Sequence, residues 1–258
     1  MAGAATVEKA LDVLFHLHAA PEAMGLSEIG RALELPKSSC HRLLTTLVER
    51  EVVERDETGR YRPGLALLAL GLGAQEREPV VQAARPALES EAMALGETVF
   101  LVGRRGGRLR VLDKFEGPGF LRAAPGVGDV IPGDVTAAGQ LYRVFGGEQG
   151  DFIDAPSSAK SHDASAQDIE AAEILRRGYA INRDAWIDGL SVLGVPIWQR
   201  QGGGHSRMVA VLALASSSPR FETIGEEAIA GRLLAAAERV GVRLGVGSGQ
   251  RTPATGEA

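Results

Sequence analysis

GLSEIGRALELPKSSCHRLLTTLVEREVVERDETGRYR, residues 25–62, is the stretch whose reading decides the fold. Plotted at about 100° per residue, the segment from Lys37 to Glu49 separates into two sides. Cys40, Leu43, Leu44 and Leu47 share one, and Ser38, His41, Arg42, Thr45 and Glu49 share the other, which predicts an amphipathic helix with a hydrogen-bonding outer face. A shorter helical pattern precedes it, Ser27 to Leu33, with Leu26, Ile29 and Leu33 inward and Ser27 expected as the N-cap. Only Glu34 and Leu35 intervene before Pro36, which is expected at the first helical position, where its missing N–H costs nothing. Two short helices joined this tightly cross steeply, as in a helix-turn-helix. Val52 to Arg55, a turn at 56–59 containing Gly59, and Arg60 to Arg62 then read as a β-hairpin, the wing of a winged helix.

The chemistry of the outer face suits double-stranded DNA. Base edges and phosphates both offer acceptors in the major groove, so short hydroxyl donors and cationic or planar donors on one helix face are the complement. Ser38, Ser39, His41, Arg42 and Thr45 supply them, with Ser27 on the preceding helix, Lys37 at the flank, and Arg60 and Arg62 on the wing toward the backbone. Bulk charge does not advertise this role: residues 1–78 hold nine Lys and Arg against twelve Asp and Glu, and residues 37–62 hold six against five. Attraction must be local, with Glu49, Glu51, Glu54 and Glu57 turned aside. Phosphate neutralisation supplies most non-specific affinity, so one such module binds weakly and two copies on a paired site are expected.

VEKALDVLFHL (7–17), GLSEIGRALELPKSSCHRLLTTLVEREVVERD (25–56) and GRYRPG (59–64) resemble the N-terminal domain of the IclR family of transcriptional regulators. LDKFEGP (112–118), TAAGQLY (136–142), RRGYAIN (176–182) and GVPIW with VLALASSSPRF (194–198 and 211–221) resemble that family's effector-binding domain. The resemblance implies a C-terminal GAF-like or PAS-like fold, a small organic or aromatic acid as effector, and repression as the commoner outcome.

Composition agrees with two domains in 258 residues: 45% hydrophobic content with mean hydropathy near zero provides apolar material for real cores. No apolar run reaches the roughly 18 residues of a membrane span, and no basic segment followed by an apolar one marks a signal peptide, so a cytoplasmic protein is expected. The single cysteine, Cys40, allows no intrachain disulfide or cysteine metal cluster and reads as core filler. A formal charge of −5 argues against a general nucleic-acid coat protein.

Taken in order, Val7, Ala10, Leu11, Leu14 and Leu17 give a first helix that ends at Ala19-Ala20-Pro21. Leu65, Leu67, Leu68, Leu70 and Leu72 spread around the whole wheel. A helix apolar all round needs burial on several sides; in a linker the same segment of a second subunit is the economical cover, and packing back onto its own domain is the alternative. The division expected is a winged helix-turn-helix at 1–63, a linker and dimerisation helix at 64–78, an effector-binding and oligomerisation domain at 79–245 and a disordered tail at 246–258. In the second domain, Val80 to Leu95 is a helix interrupted by Pro86, and Thr98–Arg104 with Leu109–Phe115 is a hairpin. Residues 117–134 read as a long loop, 136–145 and 166–177 as helices, and 148–165 as a polar loop. Strands follow at 179–183, 190–198 and 208–215, the last two joined by Gly202-Gly203-Gly204, then a helix at 222–244. Hairpins interrupted by helices predict an α+β domain with an antiparallel sheet.

Catalysis is not indicated. Gly189-Leu190-Ser191-Val192-Leu193-Gly194 lacks the spacing of a nucleophile elbow, Gly126-Val127-Gly128 lies in a Pro-rich loop instead of a strand-to-helix turn, and no phosphate-binding loop is present. His162 beside Asp163, and His205, read as solvated; no metal or cofactor is expected. The long loop suits a ligand pocket. Helix N-termini attract carboxylates, so Thr136, Ala137 and Ala138 are candidates to receive an acid. The resemblance places effector contacts at Phe120, Ile131, Ala137, Ala138, Asn182, Val192, Ala213 and Ala215. It also implies departures: family members often carry Asp where Asn182 stands, Cys or Ser at Val192, and Ser at Ala213 and Ala215. With three donors replaced by apolar groups, a polar ligand would leave groups unpaired, so the effector expected is larger and less polar than glyoxylate or pyruvate, such as an aromatic acid. Two alternatives stay open: these positions are plain sheet core with no effector, or the winged helix contacts protein in a ligand-binding or scaffold molecule. The main expectation is a one-component regulator, dimeric or tetrameric.

Overall fold

In the computed structural model the residues described are 4–119, 125–146, 164–201 and 205–247. The chain falls into two compact units, Met1–Arg77 and Glu78–Ala258.

The first unit holds α1 (Ala5–Ala19), α2 (Leu26–Ala32), α3 (Lys37–Glu49), a hairpin of β1 (Val53–Arg55) and β2 (Tyr61–Pro63), and α4 (Leu65–Glu76). Its core gathers Val13 and Leu17, Ile29, Cys40, Leu44 and Leu47, and Val53 and Tyr61 of the hairpin. The α2–α3 turn is tight because the Leu35 N–H donates to the Gly30 carbonyl at 2.8 Å, with Glu34 in the left-handed region at φ 53°. A Cβ on Gly30 would sit 3.2 Å from the Leu35 oxygen, so a larger residue there would push the helices apart. In the hairpin, Asp56 Oδ1 accepts from the Thr58 N–H and hydroxyl and from the Arg60 N–H, which closes the turn. Met24 and Tyr61 exchange backbone hydrogen bonds at 2.9 and 2.8 Å, tying the wing to the segment before α2.

Three expectations are corrected. The N-cap of α2 is Gly25, not Ser27: the Glu28 carboxylate reaches back to accept the Gly25 N–H at 2.7 Å, so the helix starts two residues earlier. Pro36 is itself the N-cap of α3 instead of its first helical residue. In α1 only Val13 and Leu17 are fully buried, while Val7 and Leu11, expected inward, are exposed together with Phe15.

The hydrogen bond from Gly25, reinforced by the Arg60 guanidinium, holds the Glu28 carboxyl below its usual value. A carboxylate depressed in the folded state adds stability above its ordinary range and loses it as pH falls through the lowered value. Denaturant unfolding followed by circular dichroism at pH 7 and pH 3 is therefore expected to show a smaller acid loss for Glu28→Gln than for the parent. Equal losses would discard the clasp as a source of stability.

The second unit is a three-layer α+β structure. Its antiparallel sheet has the order β5-β4-β3-β8-β7-β6, formed by β3 (Thr98–Arg105), β4 (Arg108–Phe115), β5 (Val130–Ile131), β6 (Ala180–Arg183), β7 (Leu190–Arg200) and β8 (Ser206–Ser217). Alternate residues serve opposite faces. Val99, Leu101, Leu193, Val195, Leu212 and Leu214 pack with α5 (Pro79–Leu95) and α9 (Glu226–Gly247). Phe100, Val102, Val192, Val211, Ala213 and Ala215 pack under α6 (Ala137–Phe145), with Ile174 of α7 (Ala164–Arg177) on the same side. Buried Glu91 of α5 accepts from Arg232 at 2.8 Å and Arg239 at 2.9 Å, binding α5 to α9 through a shared carboxylate.

The helix expected at 222–244 is two, α8 (Ser218–Ile224) and α9, broken at Gly225 with φ 89°. The loop at 117–134 contains the edge strand β5, and α5 runs on past Pro86. The polar loop at 148–165, except for its last two residues, the Gly202–Gly204 turn and the tail beyond 247 lie outside the described residues.

Candidate functional site

On α3 the apolar residues Cys40, Leu44 and Leu47 are buried, which turns Ser38, His41, Arg42 and Thr45 together into solvent; Lys37 is exposed and Ser39 half-buried. The Thr45 hydroxyl donates to the His41 carbonyl at 2.9 Å, so what it offers outward is lone pairs. Burial pushes the Cys40 thiol up, and its Sγ faces the Leu26 carbonyl inside the core. Ser27 lies exposed on α2.

The wing arginines differ from expectation. Arg60 is half-buried, donating from Nε to the Ala23 carbonyl at 2.7 Å and from Nη2 to Glu28 at 2.9 Å, so its guanidinium clamps wing to α2. Arg62 stays exposed but forks onto Glu54 at 2.9 and 3.1 Å, because the hairpin register sets the two directly opposite. Glu54, expected to turn aside, therefore faces its cation. Spacing along the chain does not reveal this pair; the strand register does.

In the second unit a narrow cavity, closed down to about 10 Å³, is lined by Phe100, Ile131, Thr136, Ala137, Ala138, Asn182, Trp186, Val192 and Ala213. Sheet register explains the convergence. Asn182 lies opposite Val192 and Val192 opposite Ala215, while Ala213 sits between Phe100 and Gly194. Helix α6 presses so closely on this row that a Cβ on Gly194 would come within 3.3 Å of Leu141 and 3.6 Å of Ala137. Seven of the expected effector residues line the cavity; Ala215 packs in the same apolar cluster, and Phe120 lies outside the described residues. Phe100 was not anticipated, being hidden in the apolar run Val99–Val102; Trp186, which like Trp198 reads from sequence as either a pocket border or a packing residue, lines the cavity. Trp198 instead meets Phe145 edge-on, ring centres 5.3 Å apart.

Both polar members of the lining already have partners. Thr136 caps α6, accepting from the Gly139 N–H at 3.2 Å and donating to the Pro132 carbonyl at 2.6 Å. Asn182 donates to the Val135 carbonyl and accepts from the Ala185 N–H, so its amide is spent in holding β6 to the approach of α6. Cavity walls are thus apolar, closed at one end by the N-terminus of α6, where the first N–H groups of a helix lack partners within it. Among the described residues no group of three or more His, Cys, Asp or Glu is placed to hold a metal ion, and no helix is long and apolar enough to cross a membrane.

A winged helix-turn-helix followed by an α+β unit with an internal cavity defines the class of winged-helix transcriptional regulators. The IclR helix-turn-helix domain matches residues 6–57, and the C-terminal domain of bacterial IclR transcriptional regulators matches residues 73–242. The chain belongs to the IclR family, and it is a DNA-binding regulator, not an enzyme. It is 26% identical to the DNA-binding transcriptional repressor YiaJ of Escherichia coli (strain K12), over 95% of this chain and 89% of that one. The crystal structure of the Thermotoga maritima IclR superposes with TM-score 0.78 at 24% identity, covering 94% of this chain and all of that one. An IclR homologue from Microbacterium hydrocarbonoxydans, solved with 4-hydroxybenzoate, superposes with TM-score 0.76 at 21% identity, covering 93% and 98% of the two chains.

Proposed function

We propose that this protein is a one-component repressor that releases or rearranges on DNA when an aromatic or similarly apolar organic acid enters the cavity under α6. The observation that carries this reading is the cavity lining: aromatic and aliphatic walls, two polar side chains already committed, and no charged residue. A ring suits walls built from Phe100, Trp186, Ile131 and Val192. Its carboxylate suits the helix N-terminus at Ala137 and Ala138, where unpaired N–H groups and the helix dipole favour negative charge. The cavity is closed down to about 10 Å³, so an effector must part its lining to enter, and a single-ring acid asks for the smallest opening. The solved relative that holds 4-hydroxybenzoate supports the same class. Isothermal titration is expected to show benzoate-type acids binding at least tenfold tighter than pyruvate or glyoxylate; the opposite preference would end this reading.

DNA is met by α3, with Ser38, His41 and Thr45 toward base edges, Lys37 and Arg42 at their flank, and Arg62 on the wing. Two copies bind together. Val7, Leu11 and Phe15 form an exposed apolar stripe on α1, and Leu65, Leu68, Leu70 and Leu72 of α4 are each at least 50% exposed in the isolated chain. Apolar surface left in water at this density marks an association face, and a two-fold pair supplies the two DNA-binding modules that a weakly charged domain requires. An acid effector acts by binding one arrangement of that pair more tightly than another. The protein works where its DNA is, in the cytoplasm.

A further inference from the structure

Between α1 and α3 lies an open cleft of about 210 Å³ lined by Thr6, Lys9, Ser39, Arg42, Leu43 and Thr46. Two of its members are cations, three carry hydroxyls, and none is acidic. Lys9 and Arg42 are exposed, whereas Arg60 and Arg62 are committed to Glu28 and Glu54. The Thr46 hydroxyl is spent on the Arg42 carbonyl at 3.1 Å, so the donors left to a ligand are Lys9, the Arg42 guanidinium and the hydroxyls of Ser39 and Thr6. Such a cleft selects an anion with several acceptor oxygens.

The helical wheel sets this strip apart from the groove-facing one. Ser38, His41 and Thr45 follow the i, i+3, i+7 spacing; Ser39, Arg42 and Thr46 follow the same spacing one residue later, about 100° further round. A helix seated in the major groove turns one strip to base edges while its flank faces a sugar-phosphate wall. On α1, Lys9 lies about 160° round from Leu11, so pairing through the Val7-Leu11-Phe15 stripe leaves it uncovered.

Resting on the reading of α3 as the DNA-facing helix, we infer that the α1–α3 cleft seats a backbone phosphodiester of the bound duplex, gripped by Lys9 and Arg42 with Ser39 as a hydrogen-bond donor. The first helix thereby joins the DNA interface, and Arg42 positions α3 instead of reading a base.

The experiment uses the full-length protein and a duplex selected by it from a random library, with binding followed by fluorescence anisotropy as salt is raised. Lys9→Ala is expected to weaken the selected duplex and its single-base-pair variants equally. It should also lower the slope of log affinity against log salt by about 0.9 per bound protomer, with Lys9→Arg restoring the parent slope and every variant keeping the parent melting temperature. Arg42→Ala behaves in the same way, whereas His41→Ala alters preference at one position. A parent slope in Lys9→Ala, or an Arg42→Ala variant that relaxes a single base pair, overturns the inference alone. Failure of the unaltered protein to select any duplex overturns the DNA-facing reading of α3 as well.

Discussion

Phe15→Glu combined with Leu68→Glu is expected to lower affinity for a paired operator by about 10²–10⁴-fold, because it converts a two-module grip into independent single contacts. Phe15 and Leu68 are 68% and 57% exposed, so neither supports its own module, and the variant should keep the helix content of the parent. What changes is the cost of burying two carboxylates per subunit where apolar surfaces would meet, several kcal/mol for each ion that is not paired. The first unit can ill spare avidity, since two of the three cations of its hairpin, Arg60 and Arg62, are already matched by Glu28 and Glu54. Sedimentation and anisotropy on duplexes with one or two half-sites report the effect: the variant should treat both duplexes alike. A variant that still prefers the paired site as strongly as its parent would reject α1 and α4 as the joint.

Gly139→Ala is expected to be the most damaging single methyl in the second unit. A Cβ at this position would lie 1.8 Å from the Gly133 carbonyl oxygen and 2.5 Å from its carbon, both backbone atoms that cannot rotate away. The first turn of α6 must then shift off the strand-side segment, at a cost of about 3 kcal/mol or more. For a unit of this size that lowers the melting temperature by roughly 6–12 °C. The same shift spoils the N-terminal end of the cavity, so acid binding is lost while duplex binding by the separately folded first unit persists. Gly231→Ala is the control. It lies in α9 with nothing within 4 Å of its added Cβ, and replacing a helical glycine is worth up to about 1 kcal/mol in the stabilising direction. Calorimetry in which Gly139→Ala melts like Gly231→Ala would refute the close-approach account of α6.

Legibility in the sequence followed the range of the forces involved. The helix-turn-helix was readable because its core residues recur every three or four positions and its polar face fills the gaps. The Thr98–Phe115 hairpin was readable because Gly106 and Gly107 interrupt two alternating runs. Interactions set by tertiary placement were not. Glu28 takes the capping role expected of Ser27 because its side chain bends back to Gly25, and the same carboxylate then captures Arg60 from the wing. The α8–α9 break was invisible since apolar periodicity continues across Gly225, and two-residue β5 is too short to show alternation. In the cavity, Thr136 to Ala138 were marked by a helix start. Phe100 joins it only through sheet register, which leaves no local trace, and only the turn at Trp186 decides that this tryptophan borders the cavity while Trp198 does not.

Cys40 is fully buried on the inner side of α3 and is the chain's one sulfhydryl. A water-soluble thiol reagent can reach it only when the helices around it part, so at reagent concentrations high enough to outrun reclosing the rate of modification counts those openings one by one. The protein thus carries its own stopwatch for how often the DNA-reading module comes undone, with no dye or tag to be engineered in and no second thiol to confuse the trace.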